Sequence, residues 1–311
     1  MSTKILVLDP LTLAGKELLG CDQRLAGIGG ELDFRHTGLD DEHQIAEIGA
    51  GPALVPPLES PEDFTDVDVI VIASDGESSR HEHLLAFLDD HPDQAIVDIT
   101  RVGFLDSRTQ PSIGAELSES RQLRVGHPAI VATTVVVEAL AHLGKCHGSL
   151  AAVDPASSFG LEGVGLLVSQ AEQRMQGASV DDRIDGHILA FNLVAVDGDL
   201  LQNEAAFLLP DTPLAVTRSL LGSFHGHLAF LGLSFDNTVE PQDVHGALNL
   251  AEGIEVADFP LGLDSVPESD HVVVMPPAMS PDHTQLALTL MINGLRIGGA
   301  LTALDILETL V

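Results

Sequence analysis

Residues 66–73, DVDVIVIA, limit most strongly what this chain can fold into. After Asp68 the run is Val, Ile, Val, Ile and Ala, so neither face of a strand built from it has a polar residue to offer solvent. β-Branched residues favour the strand, and a strand apolar on both faces belongs inside a parallel sheet covered by helices. The neighbouring sequence agrees. ILVL at 5–8 ends at Asp9-Pro10 as another buried strand, 13–19 reads as a helix and ELDFR at 31–35 as a strand. Residues 80–88 read as a crossover helix and AIVDI at 95–99 as the next strand. This alternation predicts an α/β fold with a Rossmann-like, doubly wound parallel sheet.

Beyond Pro128 the pattern changes. Residues 130–143 and 161–176 read as helices ending at Gly144 and Gly177, where glycine suits a C-terminus. Apolar runs at 150–153, 214–221, 228–235 and 271–275 read as strands of a second, mostly antiparallel sheet, and 236–270 as acidic and loop-rich. LRIGGALTALDILETLV at 295–311 is an apolar helix that needs a partner surface. The expected division is a dinucleotide-fold domain of 1–127 and 291–311, and an α+β substrate and dimerisation domain of 128–290.

Charge and composition narrow the function. A net charge of −33, from 47 acidic against 14 basic residues, repels phosphate backbones and anionic lipid. Nucleic acid and membrane surfaces are therefore not expected partners. Tyr and Trp are absent, which removes most stacking and cage chemistry. Cys21 and Cys146 have no ligand-like spacing, the N-terminal apolar run is too short for a signal peptide, and a cytoplasmic location is expected. His81-Glu82-His83 and His225-Gly226-His227 could each place two imidazoles on one strand face. Nothing completes a tetrahedral set around either, so no metal is expected.

Seven segments in order resemble the aspartate-semialdehyde dehydrogenase family. They are the first strand and loop, DVDVIVIAS, AIVDITRVGF, the helix after His127-Pro128, SSFGLEGV at 157–164, LAFNLVA at 189–195, and the closing GLRIGGALTALDILETL, with Arg218 and His225 before the last. The GGAL helix is most similar to the divergent Usg-type paralogues. The resemblance implies a phosphate-dependent aldehyde oxidation with NADP, run by a Cys thiolate, an acid/base His, an orienting Gln and a Gly-rich cofactor loop.

Residue by residue, much of that machinery is missing. Aligning the proline of the family's NPNC motif puts Ile130 at the nucleophile, and a hydrocarbon forms no thioacyl intermediate. Asp154 stands at the Gln position and Phe159 at a small-residue position. The three loop glycines become Asp9, Thr12 and Gly15, and a carboxylate about 4 Å from a phosphate repels it by about 1–4 kcal/mol. Phe207 replaces the Lys of ExxK, and Phe104 falls near the expected phosphate-binding Arg, with Arg101 out of register. Glu204, Arg218 and His225 match the residues that would meet the amino-acid end of a substrate.

The resulting expectation is a homodimeric binding or assembly protein with no dehydrogenase activity and no cofactor. Two other classes stay open. One is an oxidoreductase using NADP or NAD on another aldehyde or oxo group; the other is an amino-acid or dicarboxylate sensor built on Glu204, Arg218 and His225.

Overall fold

The computed structural model describes residues 3–311 apart from 39–41, 49–50, 77, 101–104, 106–107, 115–119, 260 and 264–268. Arg101, Phe104 and most of the acidic 264–270 segment therefore lie outside the described residues. The chain divides into two compact units, 1–126 with 298–311, and 127–297.

In the first unit, β1 (Lys4–Leu8), α1 (Leu13–Gly20), α2 (Asp22–Ile28) and β2 (Glu31–Arg35) lead into a hairpin of β3 (Gln44–Ile48) and β4 (Gly51–Val55). β5 (Val69–Ile72), α3 (His81–Asp90), β6 (Ala95–Asp98), β7 (Gln110–Ser112) and β8 (Gln122–Val125) follow. Six strands form one sheet in the order β2-β1-β5-β6-β8-β7, and every pairing in it is parallel. Alternation along the strands explains the two cores. Ile5, Val7, Val69, Val71 and Val97 pack with Leu18 of α1 and Leu25 of α2. Leu6, Leu8, Ile70, Ile72 and Ile96 pack on the other side with Leu84 and Leu88 of α3. The final helix joins the first of these layers.

The second unit holds α4 (Pro128–Leu140), β9 (Cys146–Asp154), α5 (Gly160–Met175), β10 (Leu193–Val196), α6 (Asp199–Leu208), β11 (Leu214–Leu221) and β12 (His227–Phe235). α7 (Pro241–Leu250), β13 (Ile254–Val256), β14 (Val272–Val274), β15 (Ala278–Met279) and β16 (Gln285–Ile292) complete it. The sheet runs β10-β11-β9-β12-β16-β14-β13, with β15 on β16; only β9/β11 and β13/β14 are parallel. α4 lies against β12 and β16 with α6 and α7 beside it. Its Val135-Val136-Val137 run survives in a helix because packing outweighs propensity: Val136 and Val137 are buried. Thr133 and Thr134 donate to the carbonyls of Ala129 and Ile130 at 2.6 and 3.0 Å, which satisfies their hydroxyls inside the core.

The 236–270 stretch is loop-rich as expected, and it also holds α7, started by Pro241 at the first turn, and β13. Two expectations need correction. The return to the first unit comes at Gly298 instead of 291, because β16 and the turn after it belong to the second unit. The closing segment is a π-helical turn at Arg296–Ala300 followed by α8 (Leu301–Leu310). No helix among the described residues is long and apolar enough to cross a membrane.

Candidate functional site

The most concentrated polar chemistry among the described residues sits inside the second unit, at the end of β9. Period-two alternation turns Leu150, Ala152 and Asp154 to the helix-covered face, so the strand's last inward position is a carboxylate with no exposed surface. On β11 the same alternation turns Arg218 inward with Leu214 and Leu220. The Arg218 Nε–H donates to Asp154 Oδ2 at 2.8 Å. His227, the first residue of β12, brings Nε2 to 3.9 Å from Asp154 Oδ1. His127 caps α4, and its Nε2 lies 3.1 Å from Oδ1.

The cap fixes the His127 tautomer. Nδ1 accepts the Ala129 N–H at 3.2 Å, so the ring hydrogen is on Nε2 and faces Asp154. Gly294 packs over this group. A Cβ there would come within 2.2 Å of His227 Nδ1 and 2.9 Å of Pro128, so only glycine fits.

Burial alone would raise the Asp154 pKa, but His127, His227 and Arg218 outweigh it and hold the carboxyl far below its usual range. The Arg218 guanidinium carries the permanent charge in this balance, so the pair stays ionic well below the ordinary carboxyl range.

The other expected residues separate into those near this group and those away from it. Ile130 sits in the first turn of α4 and is fully buried. The Glu204 carboxylate, on α6, accepts the His127 backbone N–H. His225 is exposed in the turn before β12, and the buried histidine beside Asp154 is His227. Alternation through HLAFLGLSF, which makes His227 the first inward residue of β12, was the available signal; spacing from Arg218 pointed two residues short. Ser158, exposed in the turn after β9, places its Oγ 3.0 Å from His227 Nε2 and had no marker in the sequence. Phe159 packs on the Leu167 and Leu220 cluster, and Phe207 is 52% exposed, so Phe207 fills no pocket. Cys146 begins the strand that Asp154 ends, about 26 Å away at strand rise. Burial pushes its thiol pKa up, which also disfavours a nucleophile there.

His127, Asp154 and His227 are close enough together to suggest a metal site. The His127 tautomer opposes it. A metal on Nε2 would move the ring hydrogen to Nδ1, directly against the Ala129 N–H. That leaves Asp154 and His227, short of the three or four protein ligands a zinc site uses. His81 and His83 do not share a strand face, because they begin α3, where residues two apart diverge.

In the first unit, the loop after β1 is closed on itself. Asp9 has a φ of 56°, and its carboxylate accepts the Thr37 N–H and hydroxyl at 2.6 and 2.7 Å as well as the Ser74 hydroxyl. Thr12 caps α1 by accepting the Gly15 N–H at 3.1 Å, and donates to the Ala73 carbonyl at 2.6 Å. Gly15 is required, since a Cβ would lie 2.7 Å from the Asp9 and Pro10 backbone.

No family model matches the chain. A USG-1 protein homolog from Azotobacter vinelandii is 27% identical over 247 residues, covering 70% of this chain and 71% of that protein. A solved structure of a probable aspartate-semialdehyde dehydrogenase from Pseudomonas aeruginosa superposes with a TM-score of 0.83 at 20% identity, over 100% of this chain and 98% of that one. Aspartate semialdehyde dehydrogenase II from Vibrio cholerae, complexed with ASA, gives 0.80 at 15% identity over 98% and 97%.

Proposed function

Taking the chain as an aspartate-semialdehyde dehydrogenase-like protein of the Usg type, we propose that it is a dimeric binding or assembly protein without dehydrogenase activity. One observation carries the reading. Where the resemblance calls for a thiolate, Ile130 is a fully buried hydrocarbon. Thioacyl chemistry has no route through it. The surroundings agree, because Asp154 and Arg218 are committed to each other. An Arg218 held this way is a poor receptor for a substrate carboxylate, which disfavours the sensor reading. The Asp9 carboxylate already takes up the donors of Thr37 and Ser74 from the neighbouring strand ends, which disfavours a nicotinamide cofactor.

The open face of the second sheet supports dimerisation. Ser149 and Ala151, Ala215 and Thr217, Phe230 and Gly232, and Ala287 and Thr289 share it across β9, β11, β12 and β16. The outward positions of these four strands carry no Asp, Glu, Lys or Arg, in a chain that is 20% charged. Phe230 stands 47% exposed in its middle. A second copy of this face would bury it without stranding a charge.

The test is direct. Purified protein with aspartate semialdehyde, phosphate and either NADP or NAD should produce no reduced cofactor, and sedimentation should give a dimer that Phe230→Asp splits into folded monomers. Cofactor reduction that survives removal of contaminating enzyme would overturn the reading. A wild-type monomer would overturn its dimeric part.

A further inference from the structure

Ligands of doubly wound sheets bind beyond the C-terminal strand ends, at the point where strand order reverses. Here that point lies between β1 and β5. Asp9 follows β1, Ser74 lies just past β5, and Thr37 lies just past β2. These positions present three donors, the Thr37 N–H, the Thr37 hydroxyl and the Ser74 hydroxyl, to one carboxylate.

The donor directions are set by a second layer. His81 Nδ1 accepts the Ser78 N–H at 3.0 Å, so Nε2 holds the ring hydrogen and faces Ser74 Oγ at 3.1 Å. Ser74 is thereby left to give its own hydrogen to Asp9. Ser78 Oγ donates to the Thr37 carbonyl at 2.6 Å, which pins the peptide beside the donating one. Thr37, Ser74 and His81 are each at least 95% buried. Asp9 reaches them only by adopting a left-handed backbone, which a non-glycine residue enters at a cost.

We propose that the first unit contains a preformed oxyanion cradle built from Thr37 and Ser74, and that Asp9 occupies it as an internal ligand in place of a phosphoryl group. The proposal rests on the reading above that this loop does not hold a nicotinamide cofactor, and it gives that reading a cause. A phosphate arriving at the switch point meets a carboxylate of like charge already holding the donors. The fold keeps the anion position and fills it from within.

Removing the carboxylate should reopen the position. Asp9→Gly also suits the left-handed φ, so the variant should fold, as its circular dichroism and melting temperature will show. Inorganic pyrophosphate and NADP are the probes, read by calorimetry and thermal shift. The wild type should bind neither at millimolar concentration, Asp9→Gly should bind pyrophosphate at least tenfold more tightly than wild type, and adding Thr37→Val should abolish the gain. Asp9→Asn, which keeps the shape and one acceptor, should remain closed. A folded Asp9→Gly with no gain, or a gain that survives Thr37→Val, would overturn the cradle. Wild-type binding of NADP would instead overturn the cofactor part of the proposed function. Dehydrogenase assays on Asp9→Gly stay independent of both, since Ile130 is unchanged.

Discussion

Asp9 and Asp154 are both carboxylates at the C-terminal ends of strands, yet they are held by opposite means. Asp9 is half-buried and rests on neutral donors, a backbone N–H and two hydroxyls. Asp154 is fully buried and rests on a guanidinium and an imidazole N–H. Depth decides between them. A carboxylate near water keeps part of its solvation, so dipoles suffice to orient it. One with no exposed surface needs a full opposite charge, because the penalty for an isolated buried ion is several kcal/mol.

The largest expected effect comes from removing that charge. Arg218→Leu should cost about 3–5 kcal/mol in urea unfolding, since it strands Asp154. A loss near zero would mean that the histidines alone hold the carboxylate. Acid is the second lever. The folded pKa of Asp154 is depressed, so its contribution is present above the unfolded carboxyl range near pH 4 and declines as pH falls below it. Urea midpoints should therefore drop more steeply below pH 4 in the wild type than in Asp154→Asn. Equal slopes would contradict the ionic description.

Replacing both partners, Asp154→Leu with Arg218→Leu, should cost less than Arg218→Leu alone, because no charge is left buried. A double variant at least as unstable as the single would show that packing around Arg218, not its charge, dominates. The smallest effect belongs to the first unit. Ser74→Ala removes one neutral donor from Asp9 and should cost about 1 kcal/mol, read from the same unfolding curves. A loss approaching that of Arg218→Leu would erase the distinction between the two carboxylates.

Much of the fold was legible because burial writes itself into sequence. DVDVIVIA could only be a central strand, and its residues 69–73 are all within 1% of complete burial. The short β7 and β13 were not legible, since QPS and IEV carry no unbroken apolar run like the one that marks β5. The site was legible in part. Asp154 and Arg218 could be singled out as residues, but their pairing depends on β9 and β11 lying side by side in register, which no local pattern encodes. The same holds for His127. His-Pro at a helix start signals a cap, while its second bond, to a strand that follows it, is visible only in three dimensions.

If two copies pair as proposed, the face of the second sheet without Asp, Glu, Lys or Arg has a consequence for when they meet. Each arrives with a formal charge of −33, so approach is opposed at long range although the contact itself contains nothing to repel. Screening shortens that opposition, from about 10 Å at 0.1 M ionic strength to about 3 Å at 1 M, and leaves the burial of Phe230 and its neighbours untouched. Concentrated electrolyte, which dissolves most polar interfaces, would tighten the proposed one.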